Sequence, residues 1–196
     1  MHRILLSFSL LVVFLTSVAP GQSEKNLLKN GDFENFVGDD PSGWGTTNIP
    51  NLCVVVSRST RAVAGDYSVK CEVKDCFGSK IPGMITQKKI PVSGETMELS
   101  FSFLLKSVGK DVGFVSMVFQ NGEGSTIRMC EERLTTSGGK FAEFKTTFPV
   151  PDGAVTGDLR IALLATSEDG SLHLGSLVLV DRMRLIVPSA KEQSAP

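Results

Sequence analysis

The chain has 196 residues and a net charge of −1 at pH 7. This length predicts a single domain that buries a sizeable core. Acidic and basic residues are interspersed and form no basic stripe, which argues against a nucleic-acid-binding protein.

The first residues have the pattern of a secretory signal peptide. Met1, His2 and Arg3 form a short positive stretch, and residues 4–18 form an uncharged, mostly apolar run. The small residues Ala19 and Gly21 predict cleavage after Gly21. The apolar run is shorter than the roughly 20 residues that span a bilayer, although an uncleaved anchor is the alternative.

Residues 1–21 are therefore predicted to be removed. The mature domain is predicted at 22–187, without a transmembrane segment, and residues 188–196 form a small polar tail that we expect to be disordered. The expected location is secreted, either periplasmic or extracellular.

Export permits disulfide bonds, and all four cysteines lie in the predicted mature domain. Four cysteines allow three complete pairings, and the sequence does not choose among them. No histidine stands at zinc-like spacing from any cysteine, and the interval between Cys71 and Cys76 is not that of a redox Cys-x-x-Cys motif. We expect disulfides or buried thiols at the four positions, which are Cys53, Cys71, Cys76 and Cys130.

Apolar and polar residues alternate with a period of two along most of this domain. The clearest runs are 67–73, 97–105, 144–150, 159–165 and 177–185, and Leu104 interrupts the second. In the last run, Asp181 falls on the apolar face with Leu177 and Met183. Turn sequences rich in Gly, Pro, Asn, Asp and Ser separate the runs, and no amphipathic helix is evident. The pattern predicts an all-β sandwich or barrel.

Several segments resemble the jelly-roll carbohydrate-binding modules of families 4 and 9. The stretch "NLLKNGDFEN…GW" at 26–44 is similar to the family's first strand and the Gly-Trp that follows it. "AGDYSVKCEV", "ITQKKIPVSGETMELSFSFLLKS", "GGKFAEFKTTFPVPDGAVTGDLRIAL" and "LVLVDRMRL" are similar to later blocks, in the family's order. The resemblance spans about residues 26–187.

The resemblance implies a two-sheet antiparallel jelly-roll β-sandwich with a carbohydrate groove on the concave face of one sheet. It also implies a structural calcium ion at the sandwich edge, with Glu34 and Asp181 as ligands and Asp32 as a less certain third. An ionised carboxylate on an apolar face, such as Asp181, is costly unless a cation or another group pairs with it. Neutralisation by Arg182 or Arg184 is the alternative to calcium.

The sugar site is predicted on the strands 85–90, 114–120, 126–132 and 141–148. Their polar positions are Gln87, Lys89, Gln120, Arg128, Glu132, Glu143 and Lys145. A plain solvated sheet face is the alternative for each. The single tryptophan, Trp44, and the single tyrosine, Tyr67, are expected in the core, whereas Phe36, Phe119 and Phe141 are the aromatic residues that could be exposed.

No catalytic arrangement is evident in the sequence. His173 is the only histidine after the predicted signal peptide, and we interpret it as a surface residue of a strand. A glycosidase needs two carboxylates across a cleft, which the composition permits without indicating it. The predicted function is that of an exported, non-catalytic module whose partner is a polysaccharide or glycan. The alternative is a structural or protein-interaction β-sandwich of the cell envelope that binds no sugar and has envelope proteins as partners.

Overall fold

The computed structural model describes residues 25–47, 53–74, 81–107, 112–166 and 171–188. The predicted signal peptide at 1–21 and residues 189–196 of the predicted tail lie outside this part. Its secondary structure consists of strands, and no helix long and apolar enough to cross a membrane occurs in it. The strands are β1 Phe36–Val37, β2 Asp40–Pro41, β3 Gly45–Thr46, β4 Val54–Ser59, β5 Ser68–Val73, β6 Gly83–Pro91, β7 Thr96–Lys106, β8 Gly113–Gln120, β9 Thr126–Leu134, β10 Ala142–Pro149, β11 Thr156–Leu163 and β12 Leu177–Ile186.

Two five-stranded antiparallel sheets form the body of the molecule. The first sheet has the order β10-β7-β12-β5-β4, and the second sheet has the order β3-β6-β11-β8-β9. Strands β1 and β2 pair separately as a small ribbon. The predicted all-β, two-sheet antiparallel sandwich is confirmed.

The core lies between the two sheets and is built from the alternating runs. Leu99 and Phe101 of β7 and Phe148 of β10 enclose it from the first sheet, and Leu159 and Ile161 of β11 enclose it from the second. Burying each such side chain contributes about 1.5–3 kcal/mol, so the period-two pattern accounts for most of the driving force of folding. The outward side chains of both sheets are left to form the two surfaces of the sandwich.

Strand β12 differs from the predicted alternation because it contains a bulge. The register against β7 shifts between Asp181 and Arg184, and Arg182 adopts a left-handed φ of 52°. One extra residue reverses the side-chain parity, so the core residues change from Val178 and Val180 before the bulge to Met183 and Leu185 after it. The prediction that Leu177, Leu179 and Asp181 share the core face with Met183 is therefore wrong.

The opening Asn-Leu-Leu-Lys-Asn-Gly stretch docks along this bulge. The Asn26 side chain donates to the Met183 carbonyl and accepts the Leu185 N–H, at 3.0 Å each. The Met183 N–H donates to the Gly31 carbonyl at 2.6 Å. A Cβ at Gly31 would collide with the Met183 carbonyl oxygen, so glycine is required by the close approach of the two backbones.

The second half of the same stretch anchors the aromatic part of the core. Phe33 is fully buried, with a left-handed φ of 54°, and its ring lies 5.3 Å from that of Trp44. The Trp44 indole N–H donates to the Lys29 carbonyl at 3.0 Å. The Gln87 side chain accepts the Lys29 N–H and donates to the Lys29 carbonyl, at 2.9 Å each. Both features of the motif that carried the family resemblance, Asn-Gly-Asp-Phe-Glu and Gly-Trp, therefore hold the fold together.

The cysteines do not all have the same state. Cys53 is disulfide-bonded, whereas Cys71 and Cys130 carry free thiols. Cys76 lies outside the described residues. Burial raises the pKa of the Cys71 thiol to about 12, so Cys71 is a protonated core side chain.

Candidate functional site

The outer face of the second sheet carries a row of residues that crosses all five strands. Direct backbone pairing places Gly45 beside Thr86, Thr86 beside Arg160, Arg160 beside Ser116 and Ser116 beside Glu131. We call this set of five the central row. Its side chains share one face because directly opposed residues in an antiparallel sheet point the same way.

Arg160 lies in the middle of the central row on β11, the middle strand of the sheet. Its side chain is half-buried, and its guanidinium has no hydrogen bond or ion pair with any described residue. The residues on either side of it in the row do not bond to its guanidinium: the Thr86 hydroxyl donates to the Leu159 carbonyl, and Ser116 is buried. A guanidinium offers five N–H donors in a planar fork, and the strand pairing places this side chain on the outer face of the sheet.

Apolar residues flank this arginine on the outer face. Val118 and Ala162 are buried although neither belongs to the core cluster between the sheets. Phe114 pairs with Ala162 and is half-buried on the same face as Ser116. On the other side of the row, Asp158 is buried and its Oδ1 accepts the Lys89 N–H at 3.0 Å. The face thus combines a free cationic fork, a partly exposed aromatic ring and a fixed carboxylate.

The outer face of the first sheet has more charged residues, and they are paired with one another. Lys70 Nζ lies 2.9 Å from Glu72 Oε2, and Lys145 Nζ lies 3.1 Å from Glu98 Oε2. The Ser102 hydroxyl donates to Glu143 Oε1 at 2.6 Å. The hydrogen bond from Lys70 lowers the pKa of the Glu72 carboxyl, with further lowering by the charges of Lys70 and Lys74 that outweighs partial burial.

The predicted groove residues do not form one surface. Strand β10 belongs to the first sheet, so Glu143 and Lys145 lie on the opposite side of the sandwich from β6, β8 and β9. Assigning β10 to the same groove is therefore wrong. The reason is topological: β10 pairs with β7, a partnership that alternation alone does not specify.

The other predicted groove residues have separate environments. Gln87 is buried, and its side-chain amide forms hydrogen bonds with the backbone of Lys29. Lys89 is exposed at a position with a left-handed φ of 55°, beside a bulge. Gln120 is half-buried at the end of β8 and accepts the Thr156 hydroxyl at 3.4 Å, while Arg128 is exposed on the edge strand β9. Glu132, on the same strand, is also exposed. Sugar contact by any of these residues stays a prediction.

Sequence reasoning missed Arg160, Phe114 and Ser116. All three occupy outward positions of strands that were interpreted chiefly through their apolar faces. The available signal was the arginine inside the run "DLRIAL", since a charge in the middle of an otherwise apolar strand marks the outward side of that strand.

The remaining aromatic residues do not add to this face. Trp44 is buried in the core as expected, and Phe119 is fully buried, so the expectation that Phe119 could be exposed is wrong. Tyr67 is half-buried at the edge of the first sheet, where the Arg58 guanidinium lies 4.6 Å from its ring centroid. Phe36 packs edge-on against the same ring at 6.0 Å. His173 is buried and lies outside the strands, which corrects its interpretation as a surface strand residue.

The carboxylates assigned to calcium contact backbone N–H groups. Asp181 is fully buried; its Oδ2 accepts the Val63 and Ala64 N–H groups at 2.7 and 3.2 Å, and its Oδ1 accepts the Arg182 N–H at 2.7 Å. The Glu34 carboxylate accepts the Asp66 N–H group at 3.0 Å and the Tyr67 N–H group at 3.3 Å. We call these two carboxylates and the segment 63–67 the carboxylate clamp.

The carboxylate oxygens of the clamp contact backbone N–H groups, as described. Calcium is coordinated by several oxygens together, whereas the oxygens of Asp181 and Glu34 face N–H donors that repel a cation. Asp32 is exposed, and no group of three or more His, Cys, Asp or Glu side chains within the described ranges could hold a metal ion. Backbone amides supply the compensation that was expected from calcium or from an arginine. The calcium site itself stays a prediction.

No protein-family model matches this chain, and no curated protein matches it. Solved structures do match. The CBM22-1 xylan-binding domain from Paenibacillus barcinonensis Xyn10C is 16% identical with a TM-score of 0.55, over 87% of this chain and 100% of that one. A family 16 carbohydrate-binding module is 16% identical with a TM-score of 0.57, over 83% of this chain and 100% of that one. This chain has the β-sandwich fold of these modules.

The same sandwich also occurs inside larger proteins. The enzymatically active domain of tailspike protein 4 from bacteriophage CBA120 is 17% identical with a TM-score of 0.61, over 83% of this chain. The arabinose-bound α-L-arabinofuranosidase MgGH51 is 15% identical with a TM-score of 0.58, over 85% of this chain. This chain spans only 21% and 27% of the lengths of those two proteins. At such identities the likeness concerns the fold alone.

Proposed function

We propose that the protein is an exported, non-catalytic carbohydrate-binding module that binds a glycan on the outer face of its second sheet. The observation that carries the proposal is the unpaired guanidinium of Arg160 at the centre of the central row. A guanidinium whose donors are not used by any described acceptor remains available to acceptors from outside the protein. Hydroxyl and carboxylate oxygens of a glycan would supply the missing acceptors.

The residues around Arg160 suit the same ligand. Phe114 offers a partly exposed ring against which the apolar face of a pyranose can pack, while the exposed Glu131 offers acceptors for hydroxyl groups. The jelly-roll modules that this sequence resembles, and the xylan-binding domain with the same fold, support a polysaccharide as the class of ligand. The free positive charge favours a soluble, hydroxyl-rich or acidic glycan over crystalline cellulose.

The proposed role is binding without catalysis. The two carboxylates of this face, Asp158 and Glu131, are not free to act as a pair, since Asp158 is buried and accepts a backbone N–H group. The chain's match to the two enzymes covers only a minor share of each, and separate modules of the same fold match over their full length. A binding module is the role that fits both observations.

The decisive experiment is a glycan array with the purified protein and two matched variants. Arg160→Ala should lose binding to the glycan class that the wild-type protein recognises, because the fork of donors is removed. Arg160→Lys should recover little, because a single ammonium group does not reproduce the planar geometry. Lys145→Ala, on the other face of the sandwich, is the control and should bind as the wild type does.

Three results would contradict this assignment. Binding that is lost in Lys145→Ala and kept in Arg160→Ala would move the site to the first sheet. Binding that both variants retain would move it off both faces. Silence of the folded wild-type protein across a broad array would favour the alternative function, a structural or protein-interaction sandwich of the cell envelope. That alternative has one observation in its favour, the exposed apolar side chains of Ile127 and Met129 on β9.

A further inference from the structure

The two sheets have four edge strands among the described residues, and three of them are protected. Strand β3 has only two residues, and β10 carries Lys145 and Pro149, which disfavour pairing with another strand. Strand β4 has six residues, and β2 packs against it. Strand β9 has nine residues and contains no proline, glycine or lysine. Four of its residues are charged, which protects an edge in part, but β9 is the longest edge strand among the described residues and presents the longest open row of backbone donors and acceptors.

The side chains of β9 are also unusual for an edge. Ile127 is 41% exposed and Met129 is 56% exposed, so two of the large exposed apolar side chains lie on this one strand. Cys130, at the centre of the strand, carries a free thiol and packs partly against the core. Arg128 and Glu132 stand two residues on either side of Cys130 and are both exposed. Opposite charges are thus placed symmetrically about a central residue.

This arrangement favours one register for pairing with a second copy of the chain. Two identical strands that pair antiparallel about a two-fold axis perpendicular to the sheet place one residue opposite itself. With Cys130 opposite Cys130, Arg128 of each copy lies opposite Glu132 of the other, which gives two opposite-charge pairs. Centring the pairing on Met129 or Glu131 instead places Arg128 opposite Cys130 or Leu134, and neither register pairs Arg128 with an acid.

We propose that β9 is a self-association edge at which two copies of the protein pair antiparallel, centred on Cys130, and form one continuous ten-stranded sheet. The two-fold axis keeps the outer faces of both second sheets on the same side of the assembly. The pairing covers the open backbone edge, brings Arg128 and Glu132 of the two copies together, and shields Ile127 and Met129 in part. It does not depend on whether the outer face binds a glycan.

The central cysteine makes this arrangement chemically detectable. Directly opposed residues in an antiparallel pair have Cα atoms about 4.5–5.5 Å apart, within the roughly 4.4–6.8 Å that a disulfide requires. Oxidised glutathione can therefore convert two Cys130 thiols into one disulfide between the copies, and is itself reduced to two molecules of glutathione. Cys71 does not interfere, since burial raises its pKa to about 12 and keeps it protonated in the core.

The experiment is sedimentation of the full protein over a concentration series up to about 1 mM, under reducing conditions. The wild type should dimerise reversibly. Arg128→Glu or Glu132→Arg alone should weaken the dimer about tenfold or more, since each places two like-charge pairs across the symmetric interface. The double variant R128E/E132R should restore it, because the pairs are rebuilt with their signs exchanged. Lys140→Glu, an exposed charge reversal in the turn before β10, is the control and should dimerise as the wild type does.

Oxidation supplies the second measurement. With oxidised glutathione, the wild type should form a covalent dimer that Cys130→Ser abolishes and that dithiothreitol reverses. A protein that stays monomeric throughout the series overturns the proposal. So does a dimer that is insensitive to both single reversals, or one that is not trapped through Cys130. Capture of a different polypeptide by Cys130 in place of a second copy would assign the edge to another partner and would equally overturn self-pairing.

Discussion

Both sheets alternate apolar inward residues with polar outward residues, but the two outer faces differ in whether their charged side chains form ion pairs. On the first sheet, Lys70 is paired with Glu72 and Lys145 with Glu98, so the charges satisfy one another. On the second sheet, Arg160 stands in the middle of the central row without a partner among the described residues. The number of polar residues on a face is therefore a weak guide to function. What distinguishes a candidate site is a polar group whose hydrogen-bonding capacity the protein itself leaves unused.

Among the substitutions considered, loss of the carboxylate clamp should lower the stability of the protein most. Asp181→Ala removes the acceptor of three backbone N–H groups, two of which belong to Val63 and Ala64. We expect the free energy of unfolding to fall by about 3 kcal/mol, because these donors become buried without partners. Chemical denaturation measures the change. Asp32→Ala, an exposed carboxylate at the same edge, should be nearly neutral.

The same pair of variants tests the calcium prediction. If backbone amides alone hold the clamp, the denaturation midpoint of the wild type should be equal in calcium and in chelator. A midpoint that rises with calcium, and that Asp32→Ala returns to the chelator value, would show that the carboxylates bind the ion and that the amide clamp is not the functional arrangement.

Two substitutions of moderate effect should distinguish a structural role of the first outer face from a binding role of the second. Leu104, buried on the outer side of the first sheet opposite Leu179, has a structural role, and Leu104→Ala should cost about 2–3 kcal/mol of stability with glycan affinity unchanged. Phe114→Ala, on the second face, should weaken glycan binding about tenfold with a smaller loss of stability. Denaturation and titration calorimetry on both variants give the comparison. Equal effects of the two substitutions on affinity would remove the distinction between the faces.

Removing an ion pair from the first outer face should change the stability of the protein least. Lys70 lowers the pKa of Glu72 in the folded protein, so the pair contributes stability above the unfolded pKa of Glu72 and loses it as the pH falls through the folded pKa. The Glu72 side chain is 26% exposed and in contact with solvent, so Lys70→Met should cost only a few tenths of a kcal/mol at neutral pH, after solvent screening. Unfolding at neutral and acidic pH tests this: the difference from wild type should vanish in acid. A difference that persists there would have to come from packing of the lysine stem.

The sequence was sufficient to predict the sandwich because its core obeys a local rule. In β5, β7, β10 and β11 the alternating residues are the ones that face the core, and a period of two is visible without knowing which strands are neighbours. Even the exception, Leu104, has a simple cause: it packs on the outer face beside Leu179. The bulge in β12 was not predictable in the same way, because its extra residue at Arg182 is set by docking against Gly31, a residue about 150 positions away.

The candidate site was predicted poorly because it depends on which strands share a sheet. Glu143 and Lys145 resemble groove residues in sequence, yet β10 pairs with β7 in the opposite sheet. Gln87 also looks like a ligand-binding amide, but its side chain forms hydrogen bonds with the backbone of Lys29. Neighbours in space decide whether a polar side chain is free, and the strand order that creates those neighbours is non-local.

The position of β12 has a consequence for how the chain is made. This strand lies between β7 and β5 in the middle of the first sheet, and its bulge receives Asn26 and Gly31 from the other end of the domain. During synthesis, a nascent chain that stops before residue 177 has neither a closed first sheet nor a docking place for its opening segment. Productive folding must therefore wait until the last strand has emerged, and until then the half-built sheets expose long pairing edges. Until residues 177–186 are available, such a chain carries unpaired strand edges of the kind that pair with other chains.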